Sequence, residues 1–249
     1  MKTIRLDKLL ARQGFGSRRD TGRLIRSGQV RVNGAVCTKV DAHIEPFADT
    51  VTVADAPVAL QRDIYLMMNK RAGVVCSRKD SRYESVFDSI REEDSASFSD
   101  GALHTVGRLD ADTEGLLLLT TDGALTHRLI SPKNHIAKTY EITLEHAADE
   151  SEQRRCAELI AAGIGIARDG PDAAYVCRPA QLAFRGGTHC TLVITEGRYH
   201  QVKRMIAACG NGVAYLKRTA LGPLVLDESL APGEYRALTE EELAQLQEL

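Results

Sequence analysis

The segment GRLDADTEGLLLLTTDG, residues 107–123, constrains the fold most strongly because it places an acidic cluster directly before a run of four leucines. Asp110, Asp112 and Glu114 fall within five residues, and Gly115 separates them from the leucines. A short apolar run between turn residues is typical of a strand that is buried in a sheet. The sequence therefore predicts a charged turn at the entrance to a buried strand.

Calcium binding is one explanation for this turn, since Asp110, Asp112 and Glu114 would occupy positions 1, 3 and 5 of an EF-hand loop. Position 12 of such a loop is a bidentate Glu, but here it is Thr121, and leucines occupy positions 7 to 10. We therefore reject a calcium site. Two alternatives stay open on the residues alone: a solvent-exposed turn and a catalytic carboxylate held at a strand end.

Basic residues are concentrated near the N-terminus. Residues 1–45 contain ten Lys and Arg but only four Asp and Glu, although the net charge of the whole chain is −2. Such asymmetry indicates a basic module attached to a more acidic body. A solvated basic face without a partner is the alternative interpretation.

The basic module has the pattern helix, helix, hairpin. Leu6, Leu9 and Leu10 share one helical face, Ser17 can cap a second helix, and Asn33-Gly34 is a strong hairpin signal. We place this domain at residues 1–56, a linker at 57–63 and a larger domain at 64–249.

The larger domain mixes strands and helices without regular alternation, which favours an α+β fold with a largely antiparallel mixed sheet. In AKTYEITLEH, Lys138 and Tyr140 fall on one strand face. The pattern of RYHQVKRMIAACG predicts a helix that begins near Arg198 and ends before Gly210. Within this helix His200, Lys203 and Arg204 lie at i, i+3 and i+4, which predicts one shared side.

The six cysteines show no C-x-x-C spacing, and their pattern indicates reduced, mostly buried thiols in a cytoplasmic protein. The sequence has no apolar stretch of the length that a signal peptide or a membrane span requires. We therefore expect no disulfide framework, no metal site and no membrane association.

Taken together, the motifs resemble the pseudouridine synthases that act on ribosomal RNA. The N-terminal segment RLDKLLARQGFGSRRDTGRLIRSGQVRVNG is similar to an S4 RNA-binding domain. YLMMNKRAGVVCS resembles the first motif of the catalytic domain, with Arg71 where the family usually has Pro, and KTYEI matches the family's Lys-x-Tyr motif. EGRYHQVKRMIAACGN and LGPLVLDESLAPGEYRALTEEE resemble the branch that modifies the small subunit, whose target is uridine 516 of 16S rRNA.

The resemblance implies that Asp110 is the essential carboxylate, that Asp112 and Thr113 shape its loop, and that Asp122 caps the next helix. The reaction detaches uracil from ribose, turns it and rejoins it through carbon, so it consumes no redox equivalents and requires no cofactor. Asp110 must stay ionised whether it attacks the ribose, attacks the base or removes a sugar proton. A cation within ~4–6 Å favours that charge.

Lys203 is the candidate cation, because it aligns with the family's basic residue that pairs with the essential Asp. Tyr140 is the candidate stacking platform for the extracted base. Each has a simpler alternative: Lys203 as a solvated helix residue, Tyr140 as a core residue, and His200 as a packing histidine. The candidate RNA-binding residues are Arg108, Lys138, Arg198, His200 and Arg204 in the large domain, and Arg18, Arg19, Arg23, Arg26 and Arg31 in the basic module.

The expected partner is ribosomal RNA, specifically 16S rRNA in a small-subunit assembly intermediate, bound by a monomer. Two other functions stay open: a pseudouridine synthase for large-subunit rRNA, and a non-catalytic RNA-binding factor in ribosome assembly. The joint presence of Asp110, Tyr140 and Lys203 favours an enzyme, since a protein that only binds RNA needs no such set.

Overall fold

A computed structural model of the chain describes residues 3–46, 48–58, 63–78, 82–91, 103–168 and 173–249. These residues divide into two compact units. The first contains the described residues up to Asp63, together with Arg91 and Leu103, and the second contains those of 64–90 and 104–249. Residues 59–62 of the predicted linker lie outside the described part of the chain.

Two helices form one layer of the first unit, α1 (Leu6–Arg12) and α2 (Arg18–Arg26). The Ser17 side chain caps α2 and forms a capping box with Asp20, so the predicted start of this helix is confirmed. The apolar core of the unit comprises Leu6, Leu9, Leu10, Ile25, Val30, Ile44, Val51 and Val53. It includes the leucine face that the sequence predicts for α1.

The strands of the first unit are β1 (Ile4–Arg5), β2 (Val30–Val32), β3 (Ala35–Val36), β4 (His43–Ile44), β5 (Val51–Val53) and β6 (Ala56–Pro57). β1 pairs with β4, and the others form a sheet in the order β3-β2-β5-β6. Asn33 and Gly34 join β2 to β3 with φ of 50° and 80°, as a primed hairpin turn requires. The predicted hairpin is therefore confirmed.

The second unit contains most of the secondary structure. Its strands are β7 (Tyr65–Lys70), β8 (Val74–Val75), β9 (Glu84–Ser85), β10 (His104–Thr105), β11 (Glu114–Thr120), β12 (Lys138–Leu144), β13 (Gly165–Ile166), β14 (Tyr175–Val176), β15 (Gln181–Phe184), β16 (His189–Ile194), β17 (Val213–Leu221), β18 (Leu224–Val225) and β19 (Tyr235–Ala237). Its helices are a 3-10 turn (Val86–Ser89), α3 (Gly123–Ile130), α4 (Glu150–Ala162), α5 (Gln201–Ala208) and α6 (Glu240–Gln247).

One nine-stranded sheet organises this unit, with the order β15-β16-β12-β17-β11-β7-β19, β10 on β11 and β18 on β17. Within the described strands of this sheet, β11 and β17 pair in parallel and the other pairs are antiparallel. The predicted α+β fold, with an S4-like helical hairpin followed by a largely antiparallel mixed sheet, is confirmed.

The leucine run of β11 lies at the centre of this sheet. The side chains of residues 116–119 are fully buried, so the predicted buried strand is confirmed. The strand shows no polar alternation because both of its faces are covered. Asp122 caps α3 by accepting hydrogen bonds from the N–H groups of Ala124 and Leu125, as expected.

Gly115 permits the parallel pairing of β11 with β17. It lies opposite Arg218 in the ladder and has a φ of 99°, a conformation that favours glycine. A Cβ atom at this position would lie 2.2 Å from the backbone carbonyl oxygen of Arg218. The strand that follows the acidic turn can therefore approach β17 only with glycine at this position.

We expect Gly115→Ala to lower the free energy of unfolding by about 2–5 kcal/mol, because it adds backbone strain and a clash with β17. Urea unfolding measures the change. Gly123→Ala is the matched control, since a Cβ there meets nothing within 4 Å. Its effect should stay within about 1 kcal/mol. Equal unfolding midpoints for the two variants would contradict the close approach of β11 and β17.

Candidate active site

The structure brings Asp110, Tyr140 and Lys203 together around one cavity of about 720 Å³ in the second unit. The predicted residues Arg108, Lys138, Arg198 and His200 also line this cavity. The carboxylate comes from the turn before β11, the phenol from β12 and the ammonium group from α5. Three segments that are distant in sequence thus meet at one place.

A buried lysine fixes the turn that carries Asp110. Lys70 ends β7 and has no exposed surface. Its Nζ donates hydrogen bonds to the backbone carbonyls of Arg71 (3.1 Å), Ala111 (3.2 Å) and Thr113 (2.8 Å). Burial lowers the pKa of Lys70, while the nearby negative charges, Asp110 among them, oppose that shift. The ammonium group therefore anchors the acidic turn from beneath.

Lys203 contacts both carboxylates of the turn. Its Nζ lies 3.7 Å from Oδ2 of Asp110, but only 2.6 Å and 2.7 Å from the two carboxylate oxygens of Asp112. The Nε2 atom of His200 lies 3.8 Å from Oδ1 of Asp110. Burial acts against the charge of Asp112, but the hydrogen bond and charge of Lys203 outweigh it and lower the pKa of Asp112. The expected cation is present beside Asp110, and it is shared with Asp112.

The prediction that α5 begins near Arg198 is wrong, because the helix begins at Gln201. His200 is the residue before the helix, in the left-handed conformation with a φ of 48°. The Gln201 side chain accepts a hydrogen bond from the Arg198 N–H (3.0 Å) and donates one to Glu196 (2.7 Å). These bonds hold residues 196–200 in a turn, which brings His200 to Asp110.

Arg204 does not share the side of α5 that faces Asp110. Its Nη2 donates hydrogen bonds to the backbone carbonyls of Ala167 (2.5 Å) and Ala173 (3.5 Å). The guanidinium carbon of Arg198 lies 4.0 Å from the centre of the Tyr175 ring, and that of Arg204 lies 5.4 Å from it. The expectation of one helical side for His200, Lys203 and Arg204 is therefore wrong for Arg204, whose contacts fix the β13–β14 segment.

Arg108 lies two residues before Asp110, a spacing that would place both side chains on one face of a strand. No strand runs through residues 106–113, so this spacing does not put the two side chains on a common face. Its side chain is exposed at the cavity lining. Lys138 and Tyr140 share one face of β12, as expected, and Tyr140 is 7% exposed.

Two residues of the site were missed by sequence reasoning, Lys70 and Arg218. Arg218 lines the cavity and is 2% exposed. Its Nε donates a hydrogen bond to the backbone carbonyl of Leu116 (2.8 Å). The sequence does contain an indication for each residue. Lys70 follows the apolar residues of β7, and Arg218 lies two residues after Leu216 on the buried face of β17.

The predicted arginines of the first unit differ in their contacts. Arg18 donates to the buried carboxylate of Asp7 (2.8 Å), so it stabilises the fold of this unit. Arg31 pairs with Asp55 (3.1 Å), and Arg23 lies 3.5 Å from Asp20. Arg19 and Arg26 are exposed on α2.

Neither a metal-binding cluster nor a membrane-spanning helix occurs in the described part of the chain. No group of three or more His, Cys, Asp and Glu side chains there could hold a metal ion. No helix in that part is both long enough and apolar enough to cross a bilayer.

The described residues thus form a small helical-hairpin unit and a larger mixed-sheet unit that contains a cavity lined by charged side chains. A model of the RNA pseudouridylate synthase family matches residues 64–208, and a model of the S4 domain matches residues 4–49. The chain belongs to the RNA pseudouridylate synthase family, and it is a pseudouridine synthase with an N-terminal S4 domain.

Several known proteins are similar over almost the whole chain. An uncharacterized RNA pseudouridine synthase of Bacillus subtilis (strain 168) is 44% identical, with 98% of this chain and 99% of that protein covered. The ribosomal small subunit pseudouridine synthase A of Escherichia coli (strain K12) is 42% identical, with 97% and 99% covered. A crystal structure of a pseudouridylate synthase is 39% identical and superposes with a TM-score of 0.64, with 98% and 99% covered.

We expect Lys70→Met to destabilise the protein by about 1–3 kcal/mol, because it leaves buried carbonyls without their donor. Amide hydrogen exchange should accelerate at residues 110–113, and pseudouridine formation should slow. Lys133→Met, at an exposed position, is the control and should change stability by less than about 0.5 kcal/mol. Unchanged exchange in the acidic turn of Lys70→Met would contradict the anchoring role of Lys70.

We also expect the cavity to lose positive charge in mildly alkaline solution. Burial and the charge of Arg218 lower the pKa of Lys138 to about 8, against the opposing effect of Glu196. Lys138 is therefore charged below that pH and neutral above it. The rate of pseudouridine formation should fall as the pH rises through this value.

Lys138→Arg tests this assignment, because an arginine side chain keeps its charge throughout the range. Single-turnover rates for the two proteins, measured from about pH 7 to about pH 9, should diverge as the pH rises. The same decline in both proteins would show that another group titrates.

Proposed function

We propose that this pseudouridine synthase isomerises a uridine of small-subunit ribosomal RNA, and that its target is uridine 516 of 16S rRNA. The observation that carries the chemistry is the meeting of Asp110, Tyr140 and Lys203 in one cavity. The substrate is supported by the 42% identity to the Escherichia coli protein named ribosomal small subunit pseudouridine synthase A. The motifs from EGRYHQVKRM onward support the same choice.

In this proposal Asp110 is the catalytic carboxylate. The C1′–N1 bond of the target nucleotide breaks, the ring turns, and C5 bonds to C1′. Asp110 acts as an anion at the ribose or at the base. The Nζ atom of Lys203 lies 3.7 Å from Oδ2 of Asp110 and the Nε2 atom of His200 lies 3.8 Å from Oδ1, so both side chains are placed to orient this carboxylate.

The target base must leave its stack before this chemistry can occur. Tyr140 offers a ring on which the extracted base stacks, an interaction worth ~1–3 kcal/mol. Arg108 and Arg198 are exposed residues of the cavity lining and suit contacts with phosphates of the flanking nucleotides. Substrate recognition thus combines a deep site for the base with a basic rim for the backbone.

The S4 domain supplies docking in the same proposal. Residues 1–56 form the docking domain, 57–63 the linker and 64–249 the catalytic domain. Exposed guanidinium groups such as those of Arg19 and Arg26 contact RNA phosphates, so binding through this domain weakens as salt rises. The enzyme acts as a cytoplasmic monomer on an assembly intermediate of the small subunit.

We expect Asp110→Asn to reduce pseudouridine formation by at least about 10²-fold, the order lost when an acid–base group is removed. RNA affinity should stay within about threefold, since phosphate contacts dominate binding. Carbodiimide treatment with primer extension measures the product, and filter binding measures affinity. Glu141→Gln, an exposed carboxylate on β12, is the control. Wild-type turnover in Asp110→Asn would disprove the role of Asp110.

The target is tested by mapping pseudouridines in both large and small rRNA from cells that lack the protein. We expect a single loss at position 516 of 16S rRNA, restored by the wild-type gene and not by the Asp110→Asn gene. A loss in the large-subunit rRNA would reassign the substrate. Complete modification in both rRNAs would disprove an rRNA target for this enzyme.

A further inference from the structure

Arg218 offers a buried guanidinium group whose hydrogen-bonding capacity is only partly used. Its Nε donates to Leu116, but its Nη2 is buried and has no hydrogen-bond partner among the described residues. Buried donors in folded proteins are almost always satisfied, so an orphan donor requires an explanation. Because this side chain lines the cavity that holds Asp110, a bound ligand is the natural acceptor.

The surroundings of Arg218 hold excess positive charge. Lys138 lines the same cavity, and its Nζ donates one hydrogen bond to the backbone carbonyl of Ile136 (2.9 Å). The carboxylate that faces Lys138 is Glu196, which already accepts hydrogen bonds from the Arg178 N–H (2.9 Å) and the Gln201 side chain (2.7 Å). Lys138 and Arg218 thus bring two positive charges to a site where Glu196 supplies one negative charge, and the remaining positive charge favours an anionic ligand.

The position of Arg218 relative to Tyr140 indicates which part of the substrate it meets. The two residues are directly opposite in the antiparallel ladder of β12 and β17, so their side chains leave the same face of the sheet. A base that stacks on Tyr140 therefore presents its edge to the guanidinium group. A phosphate would instead meet the exposed arginines of the cavity lining, because a chain phosphate stays on the solvent side of an extracted base.

We propose that Arg218, with Lys138 beside it, donates a hydrogen bond to a carbonyl oxygen of the target uracil and stabilises the negative charge that the ring carries after it leaves the ribose. Arg218 is then a catalytic residue. This inference rests on the proposed function, since it takes the cavity of Asp110 as the place where uridine reacts.

The charge balance of the reaction supports this role. When the C1′–N1 bond breaks, its electron pair stays with the ring and spreads over N1 and the two carbonyl oxygens. The pair that forms the C1′–C5 bond comes from the C5=C6 double bond of the ring, which leaves the ring neutral. The C5 proton then passes to solvent as N1 takes up a proton from solvent, and the C5–H electron pair restores the C5=C6 double bond. The product is an isomer, and the ring is anionic only between the two bond changes. Fixed donors aimed at such transient charge are the strongest catalytic groups in a water-poor site.

Arg218→Met and Arg218→Lys test the proposal with two matched RNAs, one carrying uridine and the other 5-fluorouridine at the target position. Fluorine stabilises the detached ring anion, so that ring needs less help from the protein. Single-turnover consumption of the target nucleoside is measured after nuclease digestion, together with RNA affinity and thermal unfolding. Arg155→Met is the control, because Arg155 also donates to a backbone carbonyl, that of Cys209 (2.8 Å), but lies outside the cavity lining.

We expect Arg218→Met to lose about 10²–10³-fold in rate on uridine RNA, the loss typical of one such donor. The loss should be at least about tenfold smaller on 5-fluorouridine RNA, because that ring needs less charge stabilisation. The RNA affinity of Arg218→Met and the reaction rate of Arg155→Met should stay near the wild-type values. Equal losses on both RNAs, or no loss, overturn the proposal. Should Arg218→Met fail to fold, the same comparison is made with Arg218→Lys, which keeps the charge but not the planar fork.

Pseudouridine formation by the wild-type protein distinguishes a failure of this proposal from a failure of the proposed function. If wild-type protein forms no pseudouridine in the small-subunit RNA, the proposed substrate is wrong. If it forms pseudouridine there and the Arg218 variants match it, only the role of Arg218 is wrong.

Discussion

A fully buried ammonium group must give all its hydrogens to acceptors, and Lys70 does so with three backbone carbonyls, two of them in the acidic turn. This constraint explains how a short loop can hold several carboxylates in a fixed arrangement. The positive charge beneath the turn also lowers the electrostatic cost of gathering Asp110, Asp112 and Glu114. The position of Asp110 therefore depends on a residue that does not line the cavity.

The parallel contact between β11 and β17 couples this turn to the rest of the site. Gly115 lets the two backbones approach, and Arg218 lies directly across the ladder from it. β12 pairs with the other edge of β17 and contributes Lys138 and Tyr140. β17 pairs with both β11 and β12. The same part of the sheet therefore positions Asp110, Tyr140 and Arg218.

The arrangement of charge around Asp110 indicates how the enzyme keeps it accessible. Lys203 makes its shortest contacts with the exposed Asp112, whose side chain is 71% exposed, and a longer one with Asp110. Asp110 thus feels a nearby positive charge without being covered by a close ion pair. A carboxylate held in this way stays free to approach a nucleotide that enters the cavity.

Local signals in the sequence were sufficient for much of the fold. Ser17, Asn33-Gly34, Asp122 and the leucine run each act through near neighbours, and the structure confirms the elements that they predict. The start of α5 was misplaced because the Gln201 side chain bonds to both Glu196 and Arg198, a tertiary turn that helical periodicity does not reveal. Motif resemblance located Asp110, Tyr140 and Lys203. Strand patterns place Lys70 and Arg218 among apolar neighbours, but their positions beside the acidic turn depend on strand order, which no local pattern contains.

The central claim is that the target base enters the cavity of Asp110 and lies against Tyr140. Photo-crosslinking measures this directly, using 16S rRNA fragments with 5-iodouridine at the target position and mass spectrometry of the linked peptide. We expect crosslinks to the β12 peptide at Tyr140, and we expect them to disappear when excess unmodified RNA competes. Crosslinks confined to residues 3–58, with none in the cavity lining, would contradict it.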